Sequence, residues 1–215
     1  MNIAEAAQQV KPNSTVMIGG FLVVGAPQRL LKAIAMQKSD RLTVIACAAD
    51  YPDQGIGNLV SAGLIERAIL SHIGTNPDME GLVTAGKIEL ELVPQGTLVE
   101  RIRAGGVGLG GVLISTGLGT AVEEGKRIIE ANGRRYLLEE PLRADVALIK
   151  AAVGDHAGNL VYHGAARNIN PLMALAADLV IAEVEELVPI GEIDPNRVMT
   201  PGIFVDIIVC DSEEG

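Results

Sequence analysis

Three groups of residues in this chain are of types and spacings that could do chemistry. GGFLVVGAP (Gly19–Pro27) sets Gly19, Gly20 and Gly25 between an apolar run and a helical one. Glycines at such a turn let a backbone approach a phosphate and aim N–H groups at it, aided by the helix N-terminus. The spacing is not the G-x-G-x-x-G of dinucleotide folds, so a tight turn needed only for packing is an equal reading. A second cluster, Gly105, Gly106, Gly108, Gly110 and Gly111, holds more glycines than a helix end requires. It reads either as a flexible connector or as a surface that a ligand or another backbone approaches closely. Gln95, in VPQGTLVER, falls at the end of an alternating run and the start of a helical one. There it can orient a carboxylate or carbonyl, or simply cap the helix.

The remaining polar candidates read more plainly. Glu123, Glu124, Glu183, Glu185 and Glu186 are expected as solvated charges, and Asn168 and Asn170 as helix caps. Cys47 and Cys210 stand far apart in apolar runs with no CxxC spacing, which predicts two reduced core thiols. His72, His156 and His163 show no metal-ligand spacing, so no metal site is expected. His72, beside Gly74 and Asn76 at a strand end, reads as a structural histidine or as lining a crevice.

These residues must be positioned by elements, and the elements are legible. Helices are predicted over 2–10, 26–37, 76–86, 95–106 and 166–177. Strands are predicted over 14–20, 41–47, 66–73, 88–94, 111–116, 145–153, 178–187 and 202–210, with an irregular loop over 48–64. KRIIEANGRRYLLEEP carries two alternating runs around Asn132-Gly133, a hairpin signal. Alternating strands and helices imply an α/β fold: an open, mostly parallel sheet covered by helices on both faces, with the β-hairpin as an insertion. The expectation is one domain, 1–215.

Composition narrows the function classes. Hydrophobic residues make up 48% and charged residues 20%, so a packed core is expected. Aromatic content of 2% leaves few platforms for stacking bases. A net charge of −10 repels nucleic acid and anionic membrane, although a local nest of N–H groups can still hold an anion. The first ten residues lack a basic segment followed by an apolar one, and no apolar stretch reaches the ~20 residues of a membrane span, so a cytoplasmic protein is expected. A mean hydropathy of +0.32 fits a chain that buries surface in an oligomer.

Taken together, GGFLVVGAPQRL, SHIGTNP, ELVPQGTLVERIRAGGVGLGG, TGLGTAVEEGK, PLRADVALIKA and NPLMALAADLVIAEVEELV resemble the alpha subunit of family I CoA-transferases, from about residue 12 to 209. That family includes acetate/butyrate–acetoacetate and 3-oxoacid CoA-transferases. One departure is Pro12-Asn13, where the family often has Asp-Gly ahead of the first strand. The resemblance implies that Gly19, Gly20, Phe21, Leu22, Val23, Val24 and Gly25 form the CoA-associated loop. It implies that Gln95 is the active-site glutamine, and that Gly105, Gly106 and Gly108 lie near the active site or a subunit contact.

It also implies half an enzyme. CoA transfer between carboxylates exchanges one thioester for another, so neither ATP, metal nor a resident cofactor is needed; coenzyme A is a substrate. In the family a glutamate of the beta subunit attacks the acyl-CoA and becomes a glutamyl-CoA thioester. Glu123 and Glu124 lie in a helical-looking run, and Glu183, Glu185 and Glu186 follow a strand but lack that nucleophile's context, Glu followed by Asn-Gly or a similar small pair. The expected partner is therefore a beta subunit, in a heterotetramer or larger assembly, with short-chain acyl-CoA and free carboxylic acids as substrates. Two other readings are a sugar-phosphate isomerase on a related fold and a non-catalytic binding protein. The first needs an in-chain acid/base pair and the second leaves Gln95 free to drift.

Overall fold

Short β-branched runs alternate with helical runs, and in the computed structural model, which describes residues 1–37 and 39–210, they fold as successive strand–helix–strand units. The first half runs α1 (Ile3–Ala7), β1 (Thr15–Ile18), α2 (Gln28–Gln37), β2 (Leu42–Ala48), α3 (Gly57–Ser61), β3 (Ile65–His72), α4 (Pro77–Thr84), β4 (Glu89–Leu92) and α5 (Gln95–Val107). The second half runs β5 (Val112–Ile114), β6 (Ile128–Ala131), β7 (Arg134–Glu139), β8 (Ala144–Asp155), β9 (Leu160–Val161), α6 (Asn170–Leu175), β10 (Ala177–Val188) and β11 (Ile207–Cys210).

The main sheet has the order β11-β10-β8-β1-β2-β3-β4, with β9 added antiparallel on β8. Every other pairing in it is parallel. Strands buried on both faces need apolar residues in both phases, which explains the continuous runs in β1 and β2. Val16 and Ile18 join one core with residues of α1 to α4, while Met17 joins a second core with residues of α5 and α6. Helices therefore cover both faces, as expected.

Local signals set the helix ends. Asn2 and Glu5 make a capping box on α1, and Asn76 accepts the Met79 N–H at the start of α4, with Pro77 in its first turn. Helix α5 ends at Gly108 with φ 74°, a left-handed cap that glycine adopts without strain.

The hairpin forms at Asn132-Gly133, with φ 52° and 70°. Positive φ at both central residues matches the right-handed twist of β6 and β7. The run over 111–116 departs from expectation. It shortens to β5, which pairs antiparallel with β7 in a separate three-stranded sheet, β5-β7-β6. A three-residue strand carries too little pattern to say which sheet takes it. The helix expected over 166–177 is also broken. A 3-10 turn covers 164–167 and α6 starts only at Asn170, because Asn168 sits at φ 24°. The last strand begins at Ile207, behind a 3-10 turn over 202–204.

Candidate active site

From β1 the chain steps outward through β2, β3 and β4, whereas β8, β10 and β11 build the opposite side of β1. The β1/β8 boundary is thus where the strand order reverses, and ligands of open α/β sheets bind beyond the strand ends at such a point. The glycine loop leaves there. Gly19 N–H donates to the Leu148 carbonyl of β8 at 2.9 Å. A Cβ on Gly19 would stand 1.6 Å from Asn170 Oδ1, so any other residue would displace the Asn170 amide.

Beyond Gly20 the loop folds into a two-residue turn. Phe21 and Val24 exchange backbone hydrogen bonds of 3.0 and 3.1 Å. The residues between them, Leu22 and Val23, have φ of 47° and 74°. Valine pays a steric cost in that region, so surrounding bonds must hold the turn. Asp50 Oδ1 accepts the Val23 N–H at 3.0 Å, Asn168 Nδ2 donates to Val24 C=O at 3.1 Å, and Asn170 Nδ2 donates to Gly25 C=O at 3.0 Å. The Gly20 N–H donates to Asn168 Oδ1 at 3.3 Å. Asn168 and Asn170 were expected to cap a helix; instead α6 has no side-chain cap, and both residues staple the glycine loop. The Leu22 and Gly25 N–H groups have no hydrogen-bond acceptor among the described residues. Phe21 and Val24 are exposed.

Asp50 is the buried hub behind this loop, 3% exposed and itself at φ 54°. Its second oxygen accepts the Ile56 N–H at 3.0 Å, so one carboxylate ties the loop after β1 to the loop after β2. The loop after β3 joins through Thr75 Oγ1 to Asp50 C=O, 2.7 Å, and Asn76 Nδ2 to Ala49 C=O, 3.0 Å. Burial pushes the Asp50 carboxyl above its ordinary pKa, against the two N–H bonds that favour its charge. Asp50 was not singled out from the sequence; its signal was an acid placed directly after an apolar strand, opening an Asp-Tyr-Pro-Asp loop.

Gln95 opens α5 beyond β4 and is exposed. Its side chain contacts Ser71 near the end of β3 and donates from Nε2 to Cys47 Sγ at 3.0 Å. Cys47, in β2, is buried, as expected of a core thiol. Burial raises its pKa, the Gln95 hydrogen bond lowers it, and the Asp50 charge adds a further rise. The thiol is therefore protonated at neutral pH. His72 is exposed at the end of β3. Among the described residues no group of His, Cys, Asp and Glu is arranged to hold a metal ion.

Two expectations need correction. The N-terminus of α2 was to help hold an anion, and Glu183 was to be a solvated charge. Instead Glu183 is 2% exposed, and its Oε2 accepts the N–H groups of Arg29 and Leu30 at 3.1 and 3.0 Å. A protein carboxylate thus already occupies the positive end of α2. Lys150 lies 3.8 Å from Glu183 and 3.3 Å from Glu185. The glycine loop can offer an anion its own N–H groups, while the Arg29 and Leu30 N–H groups of the helix behind it are already taken.

The second glycine cluster lies elsewhere. Gly105 is ten residues from Gln95 along α5, about 15 Å at the helical rise. A Cβ on Gly105 would be 1.9 Å from Leu142 C=O, and one on Gly106 2.7 Å from Leu175 Cβ. These glycines let α5 pack against the segment entering β8 and against α6, while Gly108 caps the helix. Another backbone does come close, but it is this chain's own, at the end of α5 away from Gln95.

The family model described as coenzyme A transferase matches residues 1–211. The chain is 46% identical over 213 residues to the acetate CoA-transferase subunit alpha of Escherichia coli K12, covering 99% of this chain and 97% of that protein. It is 50% identical over 199 residues to the acetoacetyl-CoA:acetate/butyrate CoA transferase alpha subunit of Clostridium acetobutylicum, covering 93% and 91%. Among solved structures, an acyl-CoA transferase from E. coli O157:H7, in a thioester complex with CoA, superposes with a TM-score of 0.89 at 23% identity. All of this chain is covered, but only 47% of that one, so the chain spans about half its length. Glutaconate coenzyme A-transferase from Acidaminococcus fermentans superposes with a TM-score of 0.86 at 19% identity, covering 98% of this chain and 74% of that one. At those identities the structures speak for the fold, while the sequence relatives and the family model decide membership: the chain belongs to the coenzyme A transferase family and matches that family's alpha, or A, subunits along nearly its whole length.

Proposed function

We propose that this chain is the alpha subunit of a heteromeric CoA-transferase that moves CoA from a short-chain acyl-CoA to a free acid such as acetate, butyrate or acetoacetate. The nucleophile is a glutamate of a partner beta subunit. One observation carries this reading. The strand ends carry a glycine loop after β1 and Gln95 after β4, while Asp50 and Glu183, which adjoin the loop and α2, are buried and bonded to backbone N–H groups. Both serve to hold loops and a helix, which supports the reading, implied by the family resemblance, that the attacking carboxylate comes from the other subunit.

The chemistry follows from what remains available. The partner's glutamate attacks the acyl thioester and expels CoA thiolate, giving a mixed anhydride. The thiolate then attacks the glutamyl carbonyl, releasing the acid and leaving a glutamyl-CoA thioester; the incoming acid reverses both steps. Each attack develops an oxyanion that wants fixed donors. The Gln95 amide and the unpaired N–H groups of Leu22 and Gly25 are such donors. The segment Gly19, Gly20, Phe21, Leu22, Val23, Val24 and Gly25 takes the CoA-linked acyl group, and Gly108 at the exposed end of α5 is free for a subunit contact. In this reading the chain acts as one alpha-type domain of a cytoplasmic hetero-oligomer, with CoA as substrate and no resident cofactor. The relatives at 46% and 50% identity are named for acetate, acetoacetyl-CoA and butyrate, and one at 44% for 3-oxoadipate, which favours the short monocarboxylic acids as first substrates.

The test is CoA exchange from acetyl-CoA to butyrate and to acetoacetate, with the chain co-expressed with a beta-type subunit. Exchange should occur, and Gln95→Ala should lower kcat by about 100-fold, the scale of losing one oxyanion donor. Wild-type rates in Gln95→Ala would remove Gln95 from the chemistry.

A further inference from the structure

The neighbouring ends of β2, β3 and β4 bring Cys47, Ser71 and Gln95 together. Ser71 Oγ lies 2.6 Å from the Cys47 carbonyl and also touches Gln95 Oε1. On the other side of the amide, Nε2 reaches Cys47 Sγ at 3.0 Å. A glutamine amide offers two donor hydrogens and two acceptor lone pairs. Ser71 and Cys47 engage one of each, so the amide plane is fixed and the second N–H and second lone pair remain for a substrate. Without those grips an exposed glutamine samples many rotamers, and ordering it on demand costs free energy. The Ser71 hydroxyl has one hydrogen and two oxygens within reach. Its grip on Gln95 is therefore set by rotation about the Cβ–Oγ bond, with no movement of the main chain.

We propose that Ser71 is a positioning residue for Gln95: its hydroxyl, lodged between the Cys47 carbonyl and the Gln95 amide, fixes the face that Gln95 turns to the crevice. This rests on the reading of Gln95 as the substrate-orienting residue. Serine suits the place because a hydroxyl short enough to stay at the strand end can turn its one hydrogen to either oxygen, and threonine preserves that chemistry within a strand.

Kinetics of the complex with the beta-type subunit supply one arm of the test. Ser71→Ala should lower kcat about tenfold, the effect of one lost hydrogen bond, while KM for the acyl-CoA stays within about twofold. Ser71→Thr should recover to within about threefold of wild type. In a Gln95→Ala background Ser71→Ala should add no further loss, because Ser71 acts through the side chain already removed. Multiplying losses in the double variant would overturn the proposal. The second arm is independent of activity. In the isolated chain, the Gln95 side-chain amide NMR signals, identified by their absence in Gln95→Ala, should move toward free-glutamine shifts in Ser71→Ala and return in Ser71→Thr. Signals unmoved by Ser71→Ala would overturn the proposal even if CoA transfer proceeds, whereas lost transfer in the wild-type complex with ordered Gln95 signals would instead overturn the CoA-transferase assignment. Should Ser71→Ala fail to fold, Ser71→Cys, close in volume but a weak donor, takes its place in both arms with the same expectations.

Discussion

The site rests on side chains that hold backbone rather than touch substrate. Asp50, Asn168 and Asn170 between them fasten the turn in which Leu22 and Val23 take positive φ. The glycine loop was legible in the sequence because local glycines announce a local geometry. Its fasteners were not: Asn168 lies 148 residues from Gly20, and nothing nearby in the chain hints at the pairing. Asp50 gives a prediction at this scale. Its folded-state pKa is raised, so its contribution to stability is fully present below the unfolded value of about 4 and is lost as pH rises through the folded value. Asp50→Asn removes that dependence. Urea midpoints measured from about pH 4 to about pH 7 should therefore shift in favour of the Asn variant as pH rises. A gap between the two proteins that stays constant, or moves the other way, would place Asp50 in a different environment.

At the scale of elements, period and punctuation carried far. Strands β1 to β4, β8 and β10, the helices α2, α4 and α5, and the hairpin at Asn132-Gly133 stand where their patterns put them, whereas β9 was not foreseen and β11 is shorter than expected. Failures arose where a distant partner decides. The three residues of β5 pair with β7 because that hairpin offers an edge, and α6 is shortened because Asn168 and Asn170 turn toward the glycine loop. The start of α2 is the sharpest case, since its capping oxygen comes from Glu183 on β10, 153 residues from Leu30. Removing such a cap costs about 0.5 to 2 kcal/mol, and the neighbouring Lys150 loses one of its two acidic partners as well. Glu183→Ala should therefore lower unfolding stability by about 2 kcal/mol in urea titration, with Glu183→Gln, which keeps an acceptor, losing less. Equal stability of wild type and the Ala variant would mean that α2 does not depend on this cap.

Across the whole molecule, an acidic chain is proposed to take anionic substrates. The net charge of −10 makes long-range attraction a poor way to gather a thioester or a carboxylate. On the proposed function, binding comes from short-range donors, the role given to the glycine loop and Gln95. The same geometry leaves Asp50 and Glu183 occupied in structure. Phe21 and Val24 of the glycine loop are exposed, and in the proposed complex they offer apolar surface to the second subunit.

The most direct measurement is to trap the covalent intermediate. The chain and a beta-type subunit are incubated with acyl-CoA, alone and together, reduced with borohydride, and mapped by peptide mass. The account predicts exchange and a reducible glutamyl thioester only in the mixture, with the modified glutamate on the beta-type subunit. Exchange by this chain alone, or a modified glutamate within it, would contradict the account and put the nucleophile in the sequence read here.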